Sequence, residues 1–162
     1  MKGFLLILTV VIAAHSHAQP RKLAKYLYTL EADSTLLSVY QVATREMVKT
    51  ESEVLERLLS VRGISKDEAE NILKKASRKS AYRDDRALLT HYNIVIGYYK
   101  NGEPFGSLTL SSKTGNITIS IAKSQTQAYG RVSKSFGKYL VSVLDNYGML
   151  KFINRLDLEG FN

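Results

Sequence analysis

The stretch 92–122, YNIVIGYYKNGEPFGSLTLSSKTGNITISIA, restricts the possible folds more than any other part of the chain. Three alternating runs are separated by two turn signals, Asn101-Gly102 and Lys113-Thr114-Gly115-Asn116. Ile94, Ile96 and Tyr98 share one face of the first run, Leu108 and Leu110 one face of the second, and Ile117, Ile119 and Ile121 one face of the third. The opposite positions carry Thr109, Ser111, Thr118 and Ser120. Such a sheet is apolar on one side and needs a helical layer over that side. The alternation predicts a three-stranded antiparallel meander over about 92–122.

Its register follows from keeping the apolar sets together. A two-residue loop at Asn101-Gly102 would set Val95 opposite Leu108 and split them between faces. A three-residue loop, Lys100-Asn101-Gly102, sets Ile94 opposite Leu108 and Tyr92 opposite Leu110, and is the register expected here. At the second turn, a four-residue loop from Ser112 to Gly115 sets Leu110 opposite Ile117 and Leu108 opposite Ile119. Pro104, expected opposite Tyr98, suits a strand start because it cannot donate to a ladder. The hairpin YYKNGEPFGSLTL looks like a single unit of tandem hairpin-repeat proteins such as the MORN type; one copy implies a hairpin and no function.

Residues 1–18 read as a secretory signal peptide. Lys2 supplies the positive start and Phe4–Ala14 a short apolar core, with Ser16 and Ala18 as small residues before a cut at Gln19. Export to the periplasm or the extracellular space is expected, with residues 19–162 as a single α+β domain and no transmembrane span after cleavage. With no cysteine in the chain, a disulfide scaffold and a thiolate metal site are both excluded. Basic side chains number 23 against 15 acidic ones, and Lys2 leaves with the signal peptide. That balance favours an anionic macromolecule or an acidic protein as partner.

Upstream of the meander, helices are expected. Leu23, Leu27 and Leu30 fit a short basic helix or arm over 20–30. Leu36, Tyr40, Ala43, Met47, Val54, Leu58 and Val61 recur at helical spacing, so a long helix over 34–62 is expected, capped by Asp33 or Ser34. A bend is anticipated near the capping pattern Thr50-Glu51-Ser52-Glu53. Gly63 would stop that helix, and Ser65 with Glu68 would start the next one as a capping box. Acidic Asp67, Glu68 and Glu70 open this helix and Lys74, Lys75, Arg78 and Lys79 close it, matching the macrodipole. Beyond the meander, 124–130 reads as loop or a loose helix start. Val132, Phe136, Leu140, Val143 and Leu144 mark a C-terminal helix ended by Gly148 and laid on the apolar sheet face. The segment 149–158 fits a strand and a short helix equally.

Few residues offer catalytic chemistry. His91 is the sole histidine after residue 18, next to Tyr92 at a strand start, and no strained nucleophile turn surrounds any serine. Paired carboxylates would have to come from Asp84, Asp85, Glu103, Asp145 and Asp157, and Arg83 and Arg86 flank the first two. No catalytic set, cofactor or metal is expected.

Two stretches suggest binding. LLSVRGISKDEAENIL, 58–73, resembles the helix-hairpin-helix DNA-binding motif, in which hairpin amides hold a phosphate. The resemblance implies that role for Gly63, Ile64 and Ser65, with Ser65 standing where the motif has a second glycine. KKASRKSAYRDDR, 74–86, puts Lys74, Lys75, Arg78, Lys79 and Arg83 in one stripe if helical, with Tyr82 as an aromatic neighbour. The expected function is an exported, non-catalytic binding protein of inhibitor, immunity or envelope-adaptor type, acting through that basic surface. A periplasmic DNA-binding protein using Gly63–Ser65 is the alternative.

Overall fold

A computed structural model describes residues 19–41, 57–85 and 92–161. Helix α1 spans Pro20–Thr29, strand β1 Ser34–Tyr40, β2 Leu58–Gly63, helix α2 Lys66–Ala76, and the short strand β3 Tyr82–Arg83. Strands β4 (Ile94–Lys100), β5 (Glu103–Leu110), β6 (Asn116–Ile121) and β7 (Thr126–Val132) follow, then helix α3, Lys134–Asn146. Among the described residues the seven strands form one antiparallel sheet in the order β2-β1-β4-β5-β6-β7-β3.

The fold is α+β, but it is not a three-stranded meander behind N-terminal helices. The expected strands sit at the centre of a seven-stranded sheet. Residues 34–40 and 58–63, assigned to a long helix by their spacing, are paired strands. Two periodicities competed there: Leu36 and Tyr40 fit a helix, yet Thr35, Leu37 and Val39 alternate and are the buried residues of β1. The pairing of β1 with β4 overrides the helical reading. The expected bend at 50–53 lies outside the described residues. Most of 124–130, expected as loop or a loose helix start, and Val132, expected in the C-terminal helix, belong to strand β7. Segment 149–158 is neither strand nor α-helix but parts of two 3-10 helices, Leu150–Phe152 and Arg155–Phe161.

The first hairpin also differs from expectation. Its loop has two residues, Asn101 and Gly102, both at positive φ (54° and 79°), with Lys100 opposite Glu103. Parity is restored by a bulge. Tyr98 pairs with Gly106 and Tyr99 with Pro104, leaving Phe105 as the extra residue. Ile96 therefore faces Leu108, and Ile94 faces Leu110. At the second turn Leu110 faces Ile117 and Leu108 faces Ile119, as the apolar pattern required. Asp33, expected to cap a helix, instead accepts the Asn101 N–H at 2.6 Å and so ties the end of α1 to the hairpin turn.

The apolar sheet face joins one core with all three helices: Leu23, Ala24 and Leu27 of α1, Ile72 and Leu73 of α2, and Phe136, Leu140 and Leu144 of α3 are buried with it. Ser65 is the N-cap of α2 and accepts the Glu68 N–H at 3.2 Å; Ser133 caps α3 and accepts that of Phe136 at 3.3 Å. Among the described residues no helix is long and apolar enough to cross a membrane.

Candidate functional site: a basic cleft between two helix ends

Helix α2 ends at Ala76 because the chain turns, not because its composition changes. The Ser77 N–H donates to the Leu73 carbonyl and the Arg78 N–H to that of Lys75, and a 3-10 turn over Lys79–Ala81 follows. The Tyr82 hydroxyl reaches back to the Ala76 carbonyl at 2.6 Å and closes the turn. The Ser133 N–H then donates to the Ala81 carbonyl at 2.8 Å. Together with the pairing of β3 with β7, that bond sets the end of α2 against the beginning of α3.

The junction encloses an open cleft of about 220 Å³ walled by Lys75, Arg78, Ser80, Ala81, Ser135 and Phe136. Its polar groups are an ammonium, a guanidinium and two hydroxyls, all able to donate. The first turn of α3 carries no acidic residue, so the positive end of that helix is not offset by its own side chains. Lys75 is held in place: its Nζ lies 4.5 Å from the centre of the Tyr139 ring, a cation–π contact. The Tyr139 hydroxyl in turn donates to Glu68, one face of α2 thereby gripping the α3 tyrosine at two levels. Burial and the bond to Glu68 push the Tyr139 pKa up, so its proton stays on at neutral pH.

The expected basic stripe is divided by this geometry. Lys75 and Arg78 line the cleft. Lys74 and Lys79 are exposed beside it, Lys74 in the last turn of α2 and Lys79 in the 3-10 turn. Tyr82 is half-buried, and its hydroxyl is committed to Ala76. Arg83 sits in β3 opposite Arg131 of β7 and is not part of the wall. The five cations cannot form one helical stripe, since α2 stops before Arg78. Ser80, Ser135 and Phe136 were not anticipated. Ser133-Lys134-Ser135 ahead of an apolar run is a helix-start signal, but nothing local says that it meets the end of α2.

The helix-hairpin-helix layout is absent, because the residues before Gly63 form strand β2. Two of the three amides assigned to phosphate already have partners: Ile64 N–H donates to the Thr35 carbonyl and Ser65 N–H to the Tyr147 hydroxyl, at 3.0 and 2.9 Å. The carboxylates considered for hydrolysis lie on separate elements. Asp84 and Asp85 follow β3, Glu103 begins β5, Asp145 is near the end of α3 and Asp157 is in the last 3-10 helix. Asp85 is ion-paired with Arg131. His91 and Arg86 lie outside the described residues.

No family model, curated protein or solved structure matches the chain.

Proposed function

We propose that this chain is an exported, non-catalytic binding protein that holds an anionic group of a macromolecular partner in the cleft between α2 and α3. The observation that carries this reading is the convergence of Lys75, Arg78, Ser80 and Ser135 on one cavity whose wall, among the described residues, holds no carboxylate or imidazole. A cleft of that kind offers one negative group several charge-assisted hydrogen bonds. Its volume suits a single group and not a whole ligand, while exposed Lys74 and Lys79 extend the charge around it. That surrounding charge favours a polyanionic or acidic macromolecule. Export rests on the leader-like residues 1–18, and the inhibitor or adaptor type on the lack of an evident nucleophile–base pair.

The test is salt-dependent binding of the purified chain to heparin, compared with Arg78→Glu and with Lys113→Glu. Lys113 is an exposed cation in the β5–β6 turn, so both variants change the net charge equally. Arg78→Glu is expected to weaken binding by roughly tenfold and to flatten its salt dependence, with Lys113→Glu close to wild type. Equal effects would reduce the attraction to net charge alone and remove the cleft from the account. Duplex DNA in the same titration addresses the nucleic-acid alternative: tighter binding to DNA than to heparin would favour it.

A further inference from the structure

A second cavity, of about 330 Å³, lies where α1 ends beside the β4–β5 hairpin, built from residues that the basic cleft does not use. Its apolar wall comes from Tyr26 and Leu30 at the end of α1, Phe105 of β5 and Ile121 of β6. Its polar rim is Lys100, Lys123 and Glu103.

The local structure explains why these groups meet. Phe105 is the extra residue of the β5 bulge, and its ring packs on that of Tyr98 with centroids 6.4 Å apart. Lys100 is anchored at the rim: its Nζ donates to the Leu30 carbonyl at 2.8 Å, satisfying a group at the end of α1. Two further N–H groups of that ammonium remain for other acceptors. Gly106, the next residue along β5, allows α1 to approach, since a side chain there would begin 2.2 Å from Leu27 Cδ2.

Volume, apolar wall and a few placed charges are the attributes of a small-ligand site. Two ammonium groups against one carboxylate leave the rim net positive. We propose that this cavity binds a small amphiphile with an aliphatic body and a single carboxylate head, the body against Tyr26, Leu30, Phe105 and Ile121 and the head between Lys100 and Lys123. Burial of the apolar body supplies affinity and the rim charge selects the head. Glu103 opposes the head and tunes affinity downward.

Three probes with nearly equal alkyl tails and different heads separate these contributions: decanoate, decanol and decyltrimethylammonium, titrated calorimetrically into the full chain. Decanoate is expected to bind about fivefold tighter than decanol, with the cation weakest. Lys123→Glu should abolish that order, Glu103→Gln should tighten decanoate alone, and Tyr26→Ala should weaken decanoate and decanol together. Tyr26, Glu103 and Lys123 are all exposed, so these variants keep the core, and an unchanged urea midpoint verifies it. Arg78→Glu should leave decanoate binding unaltered, which keeps this proposal separate from the α2–α3 cleft. Absence of saturable decanoate binding, equal affinity for decanol, or an unaffected Lys123→Glu variant would each overturn it.

Discussion

Gly115 and Gly160 meet backbone to backbone. A side chain on Gly160 would begin 2.0 Å from the Gly115 nitrogen, and one on Gly115 would begin 2.4 Å from the Gly160 carbonyl oxygen. The Gly160 N–H donates to the Ser112 carbonyl at 3.0 Å, so the last 3-10 helix is docked on the β5–β6 turn and carries the fully buried Phe161 into the core. Gly160→Ala is expected to destabilise the protein by about 2 kcal/mol, since neither contact is a flexible side chain that could yield. Gly63→Ala, with nothing within 4 Å of the added carbon, should stay within about 0.5 kcal/mol of wild type. Urea unfolding of the two variants checks the pair; equal midpoints would mean that the C-terminal segment is not docked in this way.

Tyr98 and Tyr82 should respond with opposite signs to loss of their hydroxyls. Tyr98 is fully buried, and its hydroxyl has no hydrogen-bond partner among the described residues. Replacing it by phenylalanine removes a polar group that nothing compensates, so Tyr98→Phe should be neutral or stabilising by up to about 1 kcal/mol. Tyr82→Phe loses the bond to the Ala76 carbonyl and should cost about 1 kcal/mol. A destabilised Tyr98→Phe would reveal a partner for that oxygen.

Asn93 pins the start of β4 to the β5–β6 turn through two bonds to one residue. Its amide donates to the Ser112 hydroxyl and its carbonyl oxygen accepts the Ser112 N–H, each at 2.9 Å, and both residues are buried. Asn93→Ala leaves that N–H unpartnered in the interior and is expected to cost about 1–3 kcal/mol. A loss under about 0.5 kcal/mol, the size of an ordinary surface change, would show the pair to be dispensable.

Alkaline pH should unfold this protein through its tyrosines. Burial pushes the pKa values of Tyr98 and Tyr82 above the usual 10.0, as it does for Tyr139 together with the bond to Glu68. The folded state thus holds these protons more tightly than the unfolded one. Their contribution to stability is complete below the unfolded value and is lost as pH rises above it towards the folded values. The urea midpoint is expected to hold steady up to about pH 9 and to fall beyond about pH 10, with less loss in Tyr98→Phe. Tyrosinate absorbance from the buried rings should appear together with unfolding; complete ionisation in a still-folded protein would contradict their burial.

How much of this was legible depended on how local the deciding contact was. The Ser65 N-cap of α2, the glycine stop at Gly148 (φ 65°) and the facing of Leu110 with Ile117 each depend on neighbours a few residues away, and all three were readable. The reciprocal half of the expected capping box does not form, because Glu68 accepts from Tyr139 and the Ser65 N–H donates to Tyr147. The register of the first hairpin was not readable, because a bulge at Phe105 lets a two-residue loop keep the apolar sets on one face, which alternation alone assigns to a three-residue loop. Strand β7, TQAYGRV, carried too few apolar residues to announce itself, and exists because β6 offers it a ladder. The cations Lys75 and Arg78 were visible as charge; their meeting with Ser80 and Ser135 was not.

The linear chain by itself determined the start of α2 at Ser65, the stop after α3 at Gly148 and the shared apolar face of the central strands, since torsional preference and side-chain polarity act within a few positions. Only the tertiary structure decided that 34–40 and 58–63 are strands and that the ends of α2 and α3 share a cleft. The reason is that a strand has no hydrogen bonds of its own: whether Leu37 and Val39 alternate in a sheet or wind into a helix is settled by β4, distant in sequence, offering the backbone a partner.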